Sequence, residues 1–380
     1  MAKRIVLVTA GGHITVFHAA MHEMSEILNR RNASEFELWG AWGGLSGLNQ
    51  GRLVPIQQAH LEPDRAGSLI GADRELAEPD AVKRAVKQHD IHAIVLLGGD
   101  NHLGEAARCS EAGIPVVGYP KTMDGDLSSL ITLGWHSAVT VAAMQTRWHH
   151  HTALTNRAVF FVGLFGRNTD WTLCGAAAYG GSDLAIPCEE EYDVNTIVER
   201  IEDCRRHNRD RFGIEFAVVP YSEGARLRGV NLPPDAHCSR DKHGEPKLQP
   251  EWLGLELVRH AKTRKFRACF QAHTYDLRDS PPTETDKRLS RMAGAACMDM
   301  VLDGDFGNAV VFQSDGQGFF RTARRPLAEV AVQRKVRPTG YFDYQRLCAT
   351  DAFVHEYGDL FRNPLGRPPT KEELVYKNML

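Results

Sequence analysis

Two loops that carry glycine and aspartate follow apolar runs in the first half of the chain. The run at 91–97 leads into Gly98-Gly99-Asp100, and the run at 114–119 is soon followed by Asp124-Gly125-Asp126. Both runs predict strands of a parallel sheet, so their loops emerge at the carboxyl edge, where open α/β folds bind ligands. Three carboxylates and several bare backbone amides can therefore converge on one crevice. We predict a site there for a metal ion and a phosphate group.

Asp124 and Asp126 are two residues apart and share one face of an extended chain. They can therefore divide a proton-transfer role and a metal-binding role. Phosphoryl transfer mostly requires positioning and charge neutralisation, plus one carboxylate near the attacking oxygen. An Asx turn without chemistry is the alternative interpretation of this motif. The adjoining strand and the neighbouring GGD loop favour the chemical one.

Length and composition indicate an ordinary globular protein. A chain of 380 residues is long enough for two domains, each with its own core. Hydrophobic residues make up 43% and charged residues 24%, which argues against disorder and coiled coil. The net charge is -3, with basic and acidic residues interleaved along the chain. No basic stripe marks a nucleic-acid partner, so any anion site must be local.

The eight cysteines are scattered and include no C-x-x-C pair. We expect reduced thiols in a cytoplasmic protein. The sequence contains no run near the roughly 18 consecutive apolar residues of a membrane span, so no membrane partner is expected.

Strand-like and helix-like segments alternate, which predicts two parallel sheets in an α/β protein. Strands are expected at 4–9, 91–97, 114–119, 158–164, 184–187, 215–219, 266–273 and 308–313, and helices at 18–28, 79–89, 137–152, 171–179, 194–206 and 285–302. The glycine-rich segments 41–51 and 67–74 predict loops, and 226–250 predicts an exposed excursion. Beyond 325 the pattern weakens, and we expect the last thirty or so residues to form a loosely packed tail.

Three consecutive histidines, His149 to His151, lie near the end of one predicted helix. Adjacent helix residues point about 100° apart and cannot all reach one ion. We therefore interpret this run as a solvated helix end.

Five segments resemble the phosphofructokinase family, the fold shared by ATP-dependent and pyrophosphate-dependent enzymes. They are GGDN at 98–101, GIPVVGYPKTMDGDL at 113–127, TLGWHSAV at 132–139, LFGRN at 164–168 and YSEGA at 221–225, in the order and at the separations of the family. The resemblance covers about the first 320 residues. It implies two three-layer, Rossmann-like α/β domains with the active site in the interdomain cleft. The donor domain would comprise 1–139 and 279–325, the sugar-phosphate domain 140–278, and the C-terminal extension 326–380.

The resemblance also implies roles for individual residues. Asp100 and Asp126 would bind Mg²⁺, and Asp124 would act as the general base together with the catalytic side chains Lys121 and Arg167. Substrate contacts would come from Arg74, Thr122, Arg157, Phe165, Gly166, Arg167, Glu223, Arg267, Tyr275 and Arg278. Arg157 and Arg267, each displaced by one or two residues from the family positions, would reach across a subunit interface, which requires a homodimer or homotetramer. Ordinary surface arginines are the alternative interpretation of these two. The phosphoryl donor would meet Gly11, Gly12, Gly99, Asn101 and Lys121.

Asn101 and Lys121 bear on the identity of the donor. Within the family, a glycine after GGD leaves room for a nucleotide, whereas pyrophosphate users have a larger acidic residue there, nearly isosteric with Asn. Pyrophosphate users also have a lysine before the Thr of TxDxD, which some ATP-dependent branches share. Asn101 would remove the room for an α-phosphate, and Lys121 can place an ammonium over a pyrophosphate oxygen. The amino-terminal loop GGHITVFH departs from the family and carries two imidazoles.

We therefore predict a Mg²⁺-dependent glycolytic enzyme that transfers a phosphoryl group from pyrophosphate to the 1-hydroxyl of fructose 6-phosphate. An ATP-dependent kinase of the same fold is one alternative. Another ketose phosphate is an open alternative as acceptor, because Asp276 and Asp279 flank Arg278 and would repel a phosphate. A catalytically silent member that senses a metabolite or partners another subunit is a third possibility. The retained set of Asp100, Asp124, Asp126, Arg167 and Glu223 argues against silence.

Overall fold

A computed structural model describes residues 2–31, 33–232, 239–240, 242–244, 246–315 and 319–376. The strands are β1 Lys3–Thr9, β2 Phe36–Ala41, β3 Leu53–Pro55, β4 Ile91–Gly98, β5 Val116–Thr122, β6 Leu133–Gly134, β7 Val159–Leu164, β8 Glu191–Asp193, β9 Ala217–Ser222, β10 Arg226–Arg228, β11 Ala268–His273, β12 Asn308–Ser314, β13 Phe320–Pro326, β14 Phe342–Asp343 and β15 Cys348–Ala349.

The helices are α1 Phe17–Arg30, α2 Leu45–Asn49, α3 Pro79–Gln88, α4 Asp100–Glu111, α5 Trp135–Asn156, α6 Trp171–Gly180, α7 Val194–Phe212, α8 Pro250–Thr263, α9 Asp276–Asp279, α10 Glu284–Asp303, α11 Leu327–Val330, α12 Asp351–Leu365 and α13 Lys371–Tyr376. Within the described ranges, no helix has the length and apolar character needed to cross a membrane. The seven described cysteines are free thiols, and Cys238 lies outside the described residues.

The chain forms two compact units. Unit 1 comprises Met1–Ser137, Asp241–Glu245 and Arg278–Arg334, and unit 2 comprises Ala138–Arg240, Pro246–Leu277 and Lys335–Leu380. The C-terminal residues that we treated as a separate extension are thus divided between the two units.

Unit 1 is built on one sheet with strand order β13-β12-β5-β4-β1-β2-β3, and β6 adds to β5. The strands from β12 to β2 run parallel, while β13 and β3 are antiparallel edges. All residues of β5 are buried, which explains its continuous apolar run. Because β1, β4 and β5 are neighbours, the loops after these three strands lie side by side at the carboxyl edge.

A buried carboxylate ties helix α10 to the start of α5 in unit 1. Thr283 caps α10 by accepting a hydrogen bond from the Asp286 backbone nitrogen. The Asp286 side chain in turn accepts from the backbone nitrogens of Gly134, at 3.2 Å, and Ser137, at 2.7 Å. The first turn of α5 therefore has a partner for its backbone donors, which helices otherwise leave unsatisfied.

Unit 2 contains a three-stranded parallel sheet in the order β11-β7-β9. Two smaller pairs accompany it: β8 with β10, parallel, and β14 with β15, antiparallel. The carboxyl ends of the three main strands lead into residues 165–168, 223–225 and 274–275. The predicted strand at 184–187 is reduced to a single bridge between Ile186 and Tyr221.

The prediction of a loosely packed C-terminal tail is wrong. Residues 351–365 form α12, and its aromatic side chains Phe353, Tyr357 and Phe361 are buried. Their spacing of four residues places them on one face of the helix, where they form a packed core. The glycine-rich segment 41–51, which we expected to be a loop, also contains the short helix α2.

The histidine run is only partly a solvated helix end. His151 is exposed, but His150 is buried and its Nε2 lies 3.1 Å from the Gly181 carbonyl oxygen. His149 stacks on Phe160 and its Nε2 lies 2.7 Å from Nε2 of His273. The three rings thus point to different surroundings, as the helical geometry requires.

The buried histidines predict an acid-sensitive fold. Burial lowers the pKa of His149 to about 4, with a further contribution from His273, and burial also holds the pKa of His150 well below its usual value. The unfolded imidazoles take up protons near pH 6.5, so stability is lost as the pH falls from about 6.5 towards 4. We expect His149→Gln to reduce this loss by roughly 1–3 kcal/mol.

Urea unfolding at several pH values between 7 and 4.5, of the wild type and the variant, measures this effect. His151→Gln, on the exposed position, is the matched control. An unchanged pH dependence in His149→Gln would contradict the prediction.

Candidate active site

The amino-terminal glycine loop of unit 1 encloses a guanidinium. Gly11 adopts a positive φ of 84°, which favours glycine, and its backbone nitrogen donates to the Asp73 carbonyl at 2.7 Å. A Cβ on Gly12 would lie 2.0 Å from Nη1 of Arg278, so a side chain at this position would displace the guanidinium. The same Nη1 donates to the His13 carbonyl oxygen at 3.2 Å. Arg278, expected to contact a sugar phosphate, thus lies on the predicted donor loop.

Lys121 is buried at the end of β5 beside the same loop. Its Nζ donates to the Gly12 carbonyl oxygen at 2.8 Å and lies 5.2 Å from the centre of the Phe17 ring. Burial and then the charge of Arg278 lower the pKa of Lys121 to about 7, while the charge of Asp124 opposes the shift. The charge of Arg74 also acts on this ammonium. Three cationic side chains therefore surround the glycine loop, an arrangement suited to a small, highly charged anion.

Asp100 and Asp126 meet at one amide group. Asp100 begins α4 directly after β4, and Asp126 lies in the turn after β5. Nε2 of Gln333 donates to Oδ2 of Asp126 at 2.8 Å and to Oδ2 of Asp100 at 3.4 Å. The two predicted metal ligands therefore share a hydrogen-bond donor that lies between their oxygens.

The surroundings of Asp126 are those of a cation site. Asp126 is 4% exposed, and its Oδ1 has no hydrogen-bond partner within the described part of the chain. Burial raises its pKa well above the usual value, and the charges of Asp124 and Asp100 raise it further. A buried carboxylate in this position is stabilised by a nearby positive charge.

No group of three or more His, Cys, Asp or Glu side chains among the described residues is arranged to hold a metal ion. Two carboxylates nevertheless fit Mg²⁺, which is usually bound by one or two carboxylates, water and substrate phosphates. Asp100 and Asp126 would be the protein ligands.

Asp124 is oriented by Thr122, the last residue of β5. Its Oδ2 accepts from the Thr122 hydroxyl at 3.2 Å, and its backbone nitrogen lies 3.1 Å from the same hydroxyl oxygen. This is an ST-type turn, in which the Thr122 hydroxyl and not the Asp124 carboxylate accepts the backbone hydrogen bond, so Thr122 both shapes the turn and orients the carboxylate. Asp124 is only partly buried, unlike Asp126, and can meet a substrate hydroxyl.

The GGD segment ends a strand and starts a helix. Gly99 is the N-cap of α4, and its carbonyl oxygen accepts from the Leu103 nitrogen at 2.8 Å. Asn101 is the second residue of the helix and is partly buried. Its side chain therefore projects from the same helical turn as Asp100.

In unit 2, the predicted acceptor residues follow the carboxyl ends of the three main strands. Gly166, with φ of 152°, accepts a hydrogen bond from the Gly224 nitrogen at 3.1 Å, which joins the two loops. Arg167 donates from Nη1 to the Pro246 carbonyl oxygen at 3.0 Å. The Phe165 ring lies edge-on to Tyr275, with centroids 6.3 Å apart. Glu223 follows β9, and its backbone nitrogen donates to the Leu164 carbonyl oxygen.

Arg157 and Arg267 lie at the opposite edge of this sheet. Each precedes the first residue of a strand, β7 and β11 respectively, and both side chains are exposed. A strand of six residues spans about 20 Å. Within one chain, these two arginines are therefore not brought together with Arg167.

The carboxylates that flank Arg278 bond to imidazoles. Oδ1 of Asp279 lies 2.5 Å from Nε2 of His13, and Oδ2 of Asp276 lies 2.7 Å from Nδ1 of His273. These contacts give both acidic groups structural partners, which weakens the argument for an unusual acceptor.

Sequence reasoning missed the segment that covers the DGD turn. Besides the Gln333 contacts, the Arg334 nitrogen donates to the Asp126 carbonyl oxygen at 2.6 Å, and its Nη2 donates to the Gly125 carbonyl oxygen at 3.2 Å. Gln333 and Arg334 lie in a stretch without periodicity, more than 200 residues away from the turn. No local pattern could have identified them.

Comparison with known proteins gives a consistent assignment. The family Phosphofructokinase matches residues 4–301. Among curated relatives, Pyrophosphate--fructose 6-phosphate 1-phosphotransferase of Streptomyces coelicolor is 26% identical, covering 87% of this chain and 95% of that protein. ATP-dependent 6-phosphofructokinase of Chloroflexus aggregans is also 26% identical, covering 88% of this chain and 93% of that protein.

Among solved structures, the pyrophosphate-dependent phosphofructokinase of Marinobacter aquaeolei superposes with a TM-score of 0.78 at 19% identity, covering 94% of this chain and 91% of that one. The fold is therefore the mixed α/β phosphofructokinase fold, with parallel sheets. Together with the family match over most of the chain, this establishes that the protein belongs to the phosphofructokinase family.

Proposed function

We propose that this protein is a Mg²⁺-dependent phosphotransferase that moves a phosphoryl group from pyrophosphate to the 1-hydroxyl of fructose 6-phosphate. The observation that carries the proposal is the buried ammonium of Lys121, held against the Gly11-Gly12 loop beside Asp124. Family membership supports a phosphotransferase acting on this acceptor. The identity of the donor is the finer part of the proposal.

Asp124 would act as the general base. Its carboxylate, oriented by Thr122, would accept the proton of the 1-hydroxyl while that oxygen forms a bond to phosphorus. The bond between the transferred phosphorus and the bridging oxygen of the donor breaks, and phosphate leaves. A positioned base of this kind contributes about 10²–10⁴ to the rate.

Lys121, Arg74 and Arg278 would bind and neutralise the donor. The lowered pKa of Lys121, about 7, reflects burial and the charge of Arg278, which outweigh the opposing charges of Asp124 and Asp100. A phosphate placed next to the ammonium would raise this pKa and fix the proton on Nζ. Arg167 and Glu223 would serve the acceptor, since a guanidinium suits phosphate and a carboxylate accepts hydrogen bonds from sugar hydroxyls.

Mg²⁺ would be held by Asp100 and Asp126, and it would neutralise charge on the donor phosphates. The buried Oδ1 of Asp126 supports this assignment. Gln333, which donates to both carboxylates, would keep them directed towards the same place.

Pyrophosphate is favoured over ATP by Asn101 and by the crowded glycine loop. The guanidinium of Arg278 fills the space next to Gly12, and Lys121 closes the other side. The space between these two side chains suits the compact, charged phosphate groups of pyrophosphate better than a nucleotide, which also carries a base and a ribose. ATP is retained as the alternative donor because the relatives of equal identity carry both names.

We also propose that the enzyme works in the cytoplasm as a homodimer or homotetramer. Arg157 and Arg267 lie at the sheet edge away from Arg167, so they would serve a neighbouring copy.

Asp124→Asn is expected to lower kcat by about 10²–10⁴ and to change KM much less, because the amide cannot accept the proton. The measurement is the initial rate of fructose bisphosphate formation with Mg²⁺, fructose 6-phosphate and pyrophosphate. Asp80→Asn, on the exposed first turn of α3, is the control. A rate within threefold of the wild type would exclude Asp124 as the base, and no turnover of the wild type with either donor would refute the function.

Asn101→Gly is expected to raise kcat/KM for ATP by about tenfold or more, because it removes the side chain that would occupy the room for the α-phosphate. A steric difference of a few atoms in a binding site is worth roughly 1–3 kcal/mol. The ratio of kcat/KM for pyrophosphate to that for ATP measures the effect. Asn101→Ala separates the loss of side-chain volume from the backbone freedom of glycine in α4. If ATP use stays unchanged in both variants, the loop around Gly12 and Arg278 sets the donor instead.

Gln333→Leu keeps the side-chain volume but removes the donor shared by Asp100 and Asp126. We expect a loss of about 1–3 kcal/mol in unfolding free energy without metal, because a buried carboxylate loses its partner. Added Mg²⁺ should neutralise the carboxylates of Asp100 and Asp126 and restore part of the lost unfolding free energy. Urea unfolding with and without Mg²⁺ measures it, with the exposed Gln345→Leu as control. Equal losses under both conditions would mean that Gln333 acts only in packing.

A further inference from the structure

Unit 2 contains a cavity of about 790 Å³ that the mechanism above does not fully use. This volume lies within the range of small-molecule sites. Four of its lining residues are basic: Arg167, Arg226, Lys335 and Arg337. They come from two parts of the chain that lie more than 100 residues apart.

The first wall consists of the loops after β7 and β9. The hydrogen bond from the Gly224 nitrogen to the Gly166 carbonyl oxygen joins these loops. A Cβ on Gly224 would lie 2.0 Å from the Arg167 carbonyl oxygen, so glycine is required for this close approach. Arg167 and Arg226 therefore belong to two loops whose backbones are hydrogen-bonded and closely packed against each other.

The second wall is the C-terminal segment 335–338, and Glu189 holds it in place. Oε1 of Glu189 accepts from the Val336 nitrogen at 2.8 Å, and Oε2 accepts from the Arg337 nitrogen at 2.9 Å. Val336 is buried, whereas the side chains on either side of it are exposed. Lys335 also donates from Nζ to the Asn168 carbonyl oxygen. The segment thus presents two cationic side chains from an anchored backbone.

The cavity carries an excess of positive charge. Glu189 is its lining carboxylate, and this group accepts three backbone N–H bonds, the third from Asp170 at 3.0 Å. Glu190 lies 3.6 Å from Nη2 of Arg337 and offsets part of one charge. Among the described residues that line the cavity, four are cationic and one, Glu189, is a carboxylate that backbone nitrogens already engage. Such a set binds a dianion such as a phosphate group.

We propose that this cavity is a binding site for a phosphate monoester, and that Lys335 and Arg337 of the C-terminal segment supply two of its cationic contacts. The inference rests on the proposed function only where it names fructose 6-phosphate, the proposed acceptor, as one possible phosphate monoester. The other source is a free phosphate compound that binds here without being the acceptor. In both cases, the residues beyond the predicted family core take part in anion binding.

The test is isothermal titration of the full chain with inorganic phosphate and with fructose 6-phosphate, comparing wild type with a Lys335→Gln/Arg337→Gln variant. We expect the Kd for phosphate to rise by about tenfold to hundredfold, as lost charged contacts imply. Arg362→Gln, an exposed arginine of α12 paired with Asp359, is the control. Because phosphate can also bind near Lys121, the same comparison is made in a Lys121→Met background.

The kinetic readout separates the two sources. A raised KM for fructose 6-phosphate with kcat retained supports the acceptor as ligand, whereas an unchanged KM with weakened phosphate binding supports a separate anion site. Equal phosphate affinity in wild type and double variant, in the Lys121→Met background, would overturn the inference. An enzyme inactive with both donors whose phosphate binding still depends on Lys335 and Arg337 would refute the proposed function and leave this site standing.

Discussion

Burial of Asp126 next to two further carboxylates is the constraint on which the site in unit 1 depends. Three acidic groups on adjacent loops repel one another, and burial removes the water that would screen them. The chain offsets this cost on two sides. Gln333 donates to both Asp100 and Asp126, and the cations around the glycine loop include the buried Lys121.

The C-terminal part of the chain supports both units. In unit 1, the Ser128 nitrogen donates to the Val330 carbonyl oxygen, and Arg334 then bonds the backbone of the DGD turn. In unit 2, Glu189 holds the next residues of the segment by their backbone nitrogens. Consecutive residues therefore stabilise the turn that carries Asp124 and Asp126 in one unit and a basic cavity in the other. Truncation at the end of the family match would remove both supports.

Several features of the fold could be predicted because they arise from local physics. The continuous apolar run of β5 indicates a strand buried on both faces, and the glycine after it indicates a turn. The predicted helix at 285–302 matches α10 within a residue at each end, because Thr283 and Gly304 are clear capping positions. The C-terminal helix α12 differs from the predicted tail because its buried face consists of the aromatic residues Phe353, Tyr357 and Phe361, which recur every four residues, as one face of a helix requires.

The sequence by itself determined the strand–loop–helix units and the order in which Asp100, Lys121, Asp124 and Asp126 follow their strands, because these depend on near neighbours in the chain. Tertiary structure decided which distant groups meet them. Gln333 between two carboxylates, Arg278 against Gly12, and Lys335 with Arg337 beside Arg167 each join residues more than 150 positions apart. Such contacts depend on how whole elements pack, and a single local pattern carries no information about that packing.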